Sequence, residues 1–195
     1  MDRVSTLVLA TRNPHKLREF TRLLAPGDLG IEPLGDDVEL PPEDGATCAD
    51  NALPKARVAA ARTGRPAIAD DSGIEAEALE GAPGVRSARY AGPDANDEEN
   101  LQKLQREAPP GSALRYVCAL AYVDPRAGKE QLFYGYCPGR MSETRRGSRG
   151  FGYDPIFLPD ENGENRTMAE LSDAEKDAIS HRGRAARALI TWLRR

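Results

Sequence analysis

Residues 67–73 read Ala-Ile-Ala-Asp-Asp-Ser-Gly: a short apolar run that ends in two adjacent carboxylates, a hydroxyl and a glycine. Ala67-Ile68-Ala69 has the composition of a buried strand, and Asp-Ser-Gly is ordinary turn chemistry. The simplest expectation is therefore a strand that ends at Asp70 and runs into a turn. Like charges in contact repel, so Asp70 and Asp71 also raise the question of what holds them side by side. A second strand is expected just beyond, over 74–79, where Ile74, Ala76 and Ala78 alternate with Glu75 and Glu77.

Upstream, "STLVLAT" (5–11) reads as a strand leading into Asn13-Pro14, an N-cap candidate followed by proline at the first helical position. Leu17, Phe20 and Leu24 then recur at helical spacing, so an amphipathic helix is expected over 14–25. A connector rich in proline and acid (33–46) leads to "TCADNALPKARVAAARTG" (47–64), a second helix that Gly64 ends. Pro54 is expected to bend that helix or to mark its true start.

Downstream, Asn96 caps a helix reaching about residue 107, and "LRYVCALAYV" (114–123) and "EQLFYGYC" (130–137) form an antiparallel hairpin around a DPRAGK turn. A glycine-rich segment (147–155) precedes Ser172-x-x-Glu175, a capping box for a short helix. Ser180 begins the final helix, with Ala185, Leu189, Trp192 and Leu193 toward the core. Without repeats, low-complexity tracts or linkers, this alternation implies an α/β fold with a mixed β-sheet in one domain spanning 1–195.

The 195 residues, 39% hydrophobic and 30% charged, suit a soluble chain with one sizeable core. No run approaches the roughly 18 apolar residues of a membrane span, and "MDRVSTLVLA" has an acid at position 2 and no small-residue cleavage site. Neither a membrane segment nor a secretory leader is expected. Cys48, Cys118 and Cys137 are odd in number and form no CxxC, which indicates neither a disulfide framework nor a zinc site and suits a reducing cytoplasm. The net charge of −4 argues against nucleic acid as a bulk partner, while leaving a single nucleotide open. Arg140, Arg145, Arg146 and Arg149 read as a solvated surface run.

Three groups of residues can carry chemistry. In "TRNPHK" (11–16) a strand meets a helix N-terminus, where unpaired amides and the positive dipole end attract phosphate. Thr11, Asn13 and Lys16 add a hydroxyl, an amide and a cation, although Asn13 as a plain cap and Lys16 as a surface cation explain the same residues. Glu43, Asp70 and Asp71 are hard oxygen ligands of the kind that suits magnesium, whereas two histidines in the whole chain make a transition-metal site a poor fit. Glu43 alone would equally be a solvated loop acid. In the C-terminal third, glycines around Phe151 and Tyr153 allow backbone to approach a ligand and an aromatic face to stack on a base. Lys176, His181 and Arg182 add basic residues in the same third of the chain, although His181 alone reads more readily as a satisfied structural histidine. Ser180 lacks a GxSxG elbow and is a weak nucleophile candidate.

With these pieces in order, the chain resembles the inosine triphosphate pyrophosphatase family, which hydrolyses non-canonical purine nucleoside triphosphates. The resemblance lies in "LATRNPHKLREF", "EDGATCADNALPKAR", "AIADDSGIEAEALEGAPGVRSARYAG", "GSRGFGYDPIF", "TMAEL" and "EKDAISHRGRA", which follow the family's order along nearly the whole chain. It implies a long central mixed sheet flanked by helices in two lobes with an active-site cleft between them, and a homodimer. It implies a purine nucleoside triphosphate as substrate and Mg2+ as cofactor. Thr11, Arg12, Asn13, Pro14, His15 and Lys16 fall on the triphosphate-binding segment, and Lys55 on a second phosphate-contacting lysine. Glu43 and Asp71 fall on the metal ligands, Asp71 also on the proton acceptor, with Ser72 beside it at the substrate. Phe151, Gly152, Tyr153, Asp154, Lys176, His181 and Arg182 fall on positions that hold the nucleoside.

The chain departs from the family at some positions. Arg12 and His15 stand where small residues are frequent, adding bulk and positive charge, Asp50 replaces a glutamate and Pro54 an aliphatic residue. Two other functions are compatible with a nucleotide-binding α/β chain. A Maf-type pyrophosphatase acting on modified or pyrimidine nucleotides is opposed by "SHRG" and "FGYDP". A non-catalytic nucleotide-binding protein would be expected to lack part of the acidic set, yet Glu43, Asp71 and both lysines are present.

Overall fold

The computed structural model describes residues 6–195; Ser5 of the expected first strand lies outside them. Six strands form one sheet in the order β2-β1-β3-β4-β5-β6. β1 (Thr6–Leu9) pairs in parallel with β2 (Gly30–Pro33) and with β3 (Ala67–Ala76), Val8 lying opposite Ala67 and Leu9 opposite Ile68. β4 (Ala113–Asp124) and β5 (Lys129–Met141) are neighbours joined by a four-residue turn, the expected hairpin, and β6 (Phe157–Pro159) pairs antiparallel with β5. The sheet is mixed, as expected.

Helix α1 (Pro14–Leu24) begins where the Asn13-Pro14 signal places it, with Asn13 accepting from the amides of His15 and Lys16. In α2 (Cys48–Thr63) Pro54 lies inside the helix and does not mark its start. The helix starts six residues earlier, because Thr47 and Asp50 form a reciprocal capping box that fixes the first turn, and Pro54 is accommodated inside. α3 (Asp97–Glu107), α4 (Asp173–Ile179) and α5 (His181–Leu193) follow the cap signals at Asn96, Ser172 and Ser180. No helix among the described residues is long and apolar enough to cross a membrane.

The opening stretch is also corrected. β3 does not end at Asp70 but continues through Asp71, Ser72 and Gly73 as one ten-residue strand, closing in a 3-10 turn at Glu77–Leu79. Gly73 is required: a Cβ there would sit 2.1 Å from the Gly84 carbonyl oxygen and 2.7 Å from Ser87 Oγ.

The chain divides into two compact units, one of residues 1–71, 118–135 and 182–195, the other of 72–117 and 136–181. Strand alternation builds the first. Leu7, Leu9, Ile68, Cys118, Leu120 and Tyr122 pack with Phe20 and Leu24 of α1 and Ala185 and Leu189 of α5. The intervening Val8, Ala10, Ala67, Ala69, Ala119 and Ala121 face the alanine-rich side of α2. In the second unit Ile74, Leu114, Tyr116, Met141, Ile156 and Phe157 pack with Leu101 and Leu104 of α3.

Candidate functional site

The same alternation sorts the two aspartates. Asp70 continues the side of Ile68 toward α1 and α5, and Asp71 the side of Ala69 toward α2. Asp70 Oδ2 lies 3.0 Å from Lys16 Nζ and 3.3 Å from Arg182 Nε, and Arg182 Nη1 in turn reaches Glu19 Oε2 at 3.1 Å. Burial alone would push the Asp70 carboxyl up, but Lys16, Arg182 and Lys55 outweigh it and hold the group well below the usual carboxylate range. It is a permanent anion that fixes the direction of two cations.

Asp71 has the opposite character. Its Oδ2 accepts from Asn51 Nδ2 at 2.9 Å, and burial pushes its carboxyl up despite that bond and the pull of Lys16 and Lys55. Asn51 also accepts the Gly45 amide at 2.8 Å, so one side chain ties the loop carrying Glu43 to β3. Gly45 allows this approach, since a Cβ there would lie 2.7 Å from Asn51 Oδ1. Lys55 Nζ donates to the Asp70 carbonyl at 2.7 Å and to Glu43 Oε1. Burial works against its charge, yet Asp70 and Glu43 prevail and raise its pKa. Cys48, beside this group, is pushed up to about 12 by burial and by Asp71, so it remains a thiol at neutral pH.

At the start of α1 the amides expected to receive phosphate are already engaged. Asn13 N–H donates to Thr11 Oγ1 at 3.2 Å, His15 and Lys16 N–H donate to Asn13 Oδ1 at 2.8 and 3.3 Å, and Pro14 has none. The groups that remain to meet an anion there are side chains, Lys16 foremost. Arg12 turns toward the following loop, donating to the carbonyls of Leu34 and Gly35 at 2.9 Å each and of Val38 at 2.5 Å, while His15 Nδ1 meets Arg18 at 2.9 Å.

The second unit gathers the other expected residues. Asp154 is buried and its Oδ2 accepts from Lys176 Nζ at 2.7 Å and the Phe151 amide at 3.0 Å. Gly150 sits at φ +74°, and a Cβ there would lie 2.0 Å from Asp154 Oδ2, so glycine is obligatory. Lys176 Nζ stands 5.2 Å from the Phe151 ring centroid. Tyr153 is spent on packing: its ring belongs to the core and its hydroxyl donates to the Ser87 carbonyl at 2.7 Å. Phe151 and Gly152 are half-buried, and Ser72 follows Asp71 on β3. His181 is buried at the start of α5, stacked on Tyr116.

Magnesium fits the first unit's donors. Glu43 and Asp71 offer hard carboxylate oxygens, and the raised Asp71 shows a buried carboxyl whose neighbours compensate its charge incompletely. Among the described residues no three His, Cys, Asp or Glu side chains form a ready metal cage. Mg2+ does not need one, since it keeps several waters and takes substrate phosphates as ligands. Asn51 and Glu19 were missed in the sequence, although a readable signal existed: they lie four residues before Lys55 and three after Lys16, hence on the same helix faces.

Residues 7–192 match the Ham1 family, and the chain belongs to it. Among its relatives, the dITP/XTP pyrophosphatase of Cutibacterium acnes is 47% identical, covering 96% of this chain and 95% of the relative. That of Yersinia pseudotuberculosis is 45% identical over 96% and 98%. A HAM1 protein from Coxiella burnetii superposes with TM-score 0.83 at 40% identity over 96% of this chain and 98% of its own. The nucleoside-triphosphatase, dITP/XTP pyrophosphatase, of Mycobacterium abscessus gives 0.70 at 43% over 94% and 98%. The resemblance drawn from the motifs holds along nearly the whole chain.

Proposed function

We propose that this protein is a magnesium-dependent nucleoside triphosphate pyrophosphohydrolase that converts dITP, XTP and ITP to the monophosphate and pyrophosphate, clearing non-canonical purines from the nucleotide pool. The observation that carries the reading is the opposite surroundings of Asp70 and Asp71: one carboxylate clamped by Lys16 and Arg182, its neighbour buried with only partial compensation beside Glu43. The curated relatives named dITP/XTP pyrophosphatase support the substrate class.

Hydrolysis at the α-phosphorus adds electron density to an already anionic centre, so charge must be neutralised before water can attack. Glu43 and Asp71 would hold the Mg2+, which when bound screens the triphosphate and polarises its phosphoryl oxygens. Asp71 accepts the proton of the attacking water, and Asn51 Nδ2 holds its carboxyl in place for that role. Lys16 and Lys55 stabilise the departing pyrophosphate, and their carboxylate partners hold them in place beforehand.

The base is read at its 6-position. Lys176 and His181 are donors suited to the 6-oxo acceptor of hypoxanthine or xanthine, with Arg182 following them in sequence. The 6-amino group of adenine sets donor against donor, and each such mismatch costs about 1–3 kcal/mol, so two or three give about a hundredfold or more. The same reading takes the protein as a homodimer, as the family resemblance implies, in the reducing cytoplasm that its cysteines suit.

The test is a substrate panel with Mg2+. dITP, XTP and ITP should turn over at least about a hundredfold faster than dATP and ATP, releasing pyrophosphate. Equal turnover of ATP would remove the specificity claim.

A further inference from the structure

Tyr116 belongs to none of the motifs assigned to the nucleoside, yet it touches two of their residues. It lies on β4 in the same alternation as Leu114, facing the second unit's core, and is buried. Its ring is nearly parallel to that of His181, with centroids 4.7 Å apart and 10° between planes, and Phe157 packs against it at 4.4 Å. Its hydroxyl donates to Asp154 Oδ1 at 3.0 Å. The other carboxylate oxygen is thereby left for Lys176 Nζ at 2.7 Å and the Phe151 amide at 3.0 Å.

These contacts act on direction. A carboxylate turns about a soft torsion, and donors on both oxygens stop it from turning. Lys176 rides on that carboxylate, so its ammonium points where Asp154 lets it. The His181 ring nitrogens donate or accept only in the ring plane, and the parallel tyrosine sets that plane. The geometry points to Tyr116 as the positioning residue of the base-reading cluster, which fixes the His181 ring by stacking and the Lys176 ammonium through Asp154. This rests on the function proposed above, in which Lys176 and His181 meet the 6-oxo group.

Two variants separate the contacts: Tyr116→Phe keeps the ring and removes the hydroxyl, and Tyr116→Leu removes both. Calorimetric affinities for IMP and for pyrophosphate are measured alongside steady-state hydrolysis of dITP. Tyr116→Phe should weaken IMP about tenfold and raise KM for dITP by a similar factor, leaving kcat within about twofold and pyrophosphate affinity unchanged. Tyr116→Leu should weaken IMP by about a further threefold or more through the lost stack. Parental IMP affinity and KM in Tyr116→Phe would overturn the proposal. So would an equal loss of pyrophosphate affinity, which marks general damage. A parent protein that neither binds IMP nor hydrolyses dITP would overturn the functional reading itself, and the role of Tyr116 with it.

Discussion

At Asp70 two cations, Lys16 at 3.0 Å and Arg182 at 3.3 Å, share one carboxylate oxygen away from solvent. Asp70→Asn would leave both facing a neutral amide, and removing one member of a buried ion network costs about 3 kcal/mol or more. Urea unfolding should show that loss. Asp71→Asn should behave differently: it removes a carboxyl that burial already disfavours as an anion, so stability should be unchanged or higher while turnover disappears and nucleotide still binds. A stable Asp70→Asn, or an Asp71→Asn of parental rate, would contradict the division of roles. The sequence made this pair visible, but with Asp71 read as part of a turn it did not show the two on opposite sides of one strand. It could not show the partners of Asp70, because Arg182 lies 112 residues away and reaches it only through the fold. Arg12 is similar: its guanidinium donates to carbonyls of the 34–38 loop, partners 22 to 26 residues away that the sequence does not reveal.

Helix α4 is seven residues long and depends on its caps, since a helix of under two turns has little stability of its own. Glu175 accepts from the Ser172 amide and hydroxyl, each at 2.7 Å, and from Arg166, also at 2.7 Å. The Arg166 bond first, then those from Ser172, hold its carboxyl down to about 2 against an ordinary 4.5. Its contribution is therefore fully present above pH 4.5 and is lost as the pH falls through about 2. Amide protection in the first turn of α4, taken relative to the intrinsic exchange rate at each pH, should fall across that window, and Glu175→Gln should remove the dependence. Protection already falling while the pH is still above 4.5 would contradict the cap. Local signals of this kind were legible: the caps at Asn13, Asn96 and Ser172 gave three helix starts. The failures came where tertiary contacts overrode them. Asp-Ser-Gly reads as a turn, but β3 runs on through it, with Gly73 close to Gly84 and the Ile74 amide donating to Ser87 Oγ at 2.8 Å. β2 and β6, the two ends of the sheet, have four and three residues, too few to show alternation.

At the scale of the molecule, the mixed α/β sheet followed from the order of apolar runs and caps, and family membership from the motifs together. Which segments make up each of the two compact units was not legible, because each is assembled from stretches far apart in sequence. The central claim is a bond: attack at the α-phosphorus of a non-canonical purine triphosphate, with pyrophosphate leaving. Turnover of dITP in 18O-enriched water with Mg2+ tests it most directly. The label should appear in dIMP, with unlabelled pyrophosphate as the other product. Label in pyrophosphate, or orthophosphate as the first product, would contradict the account.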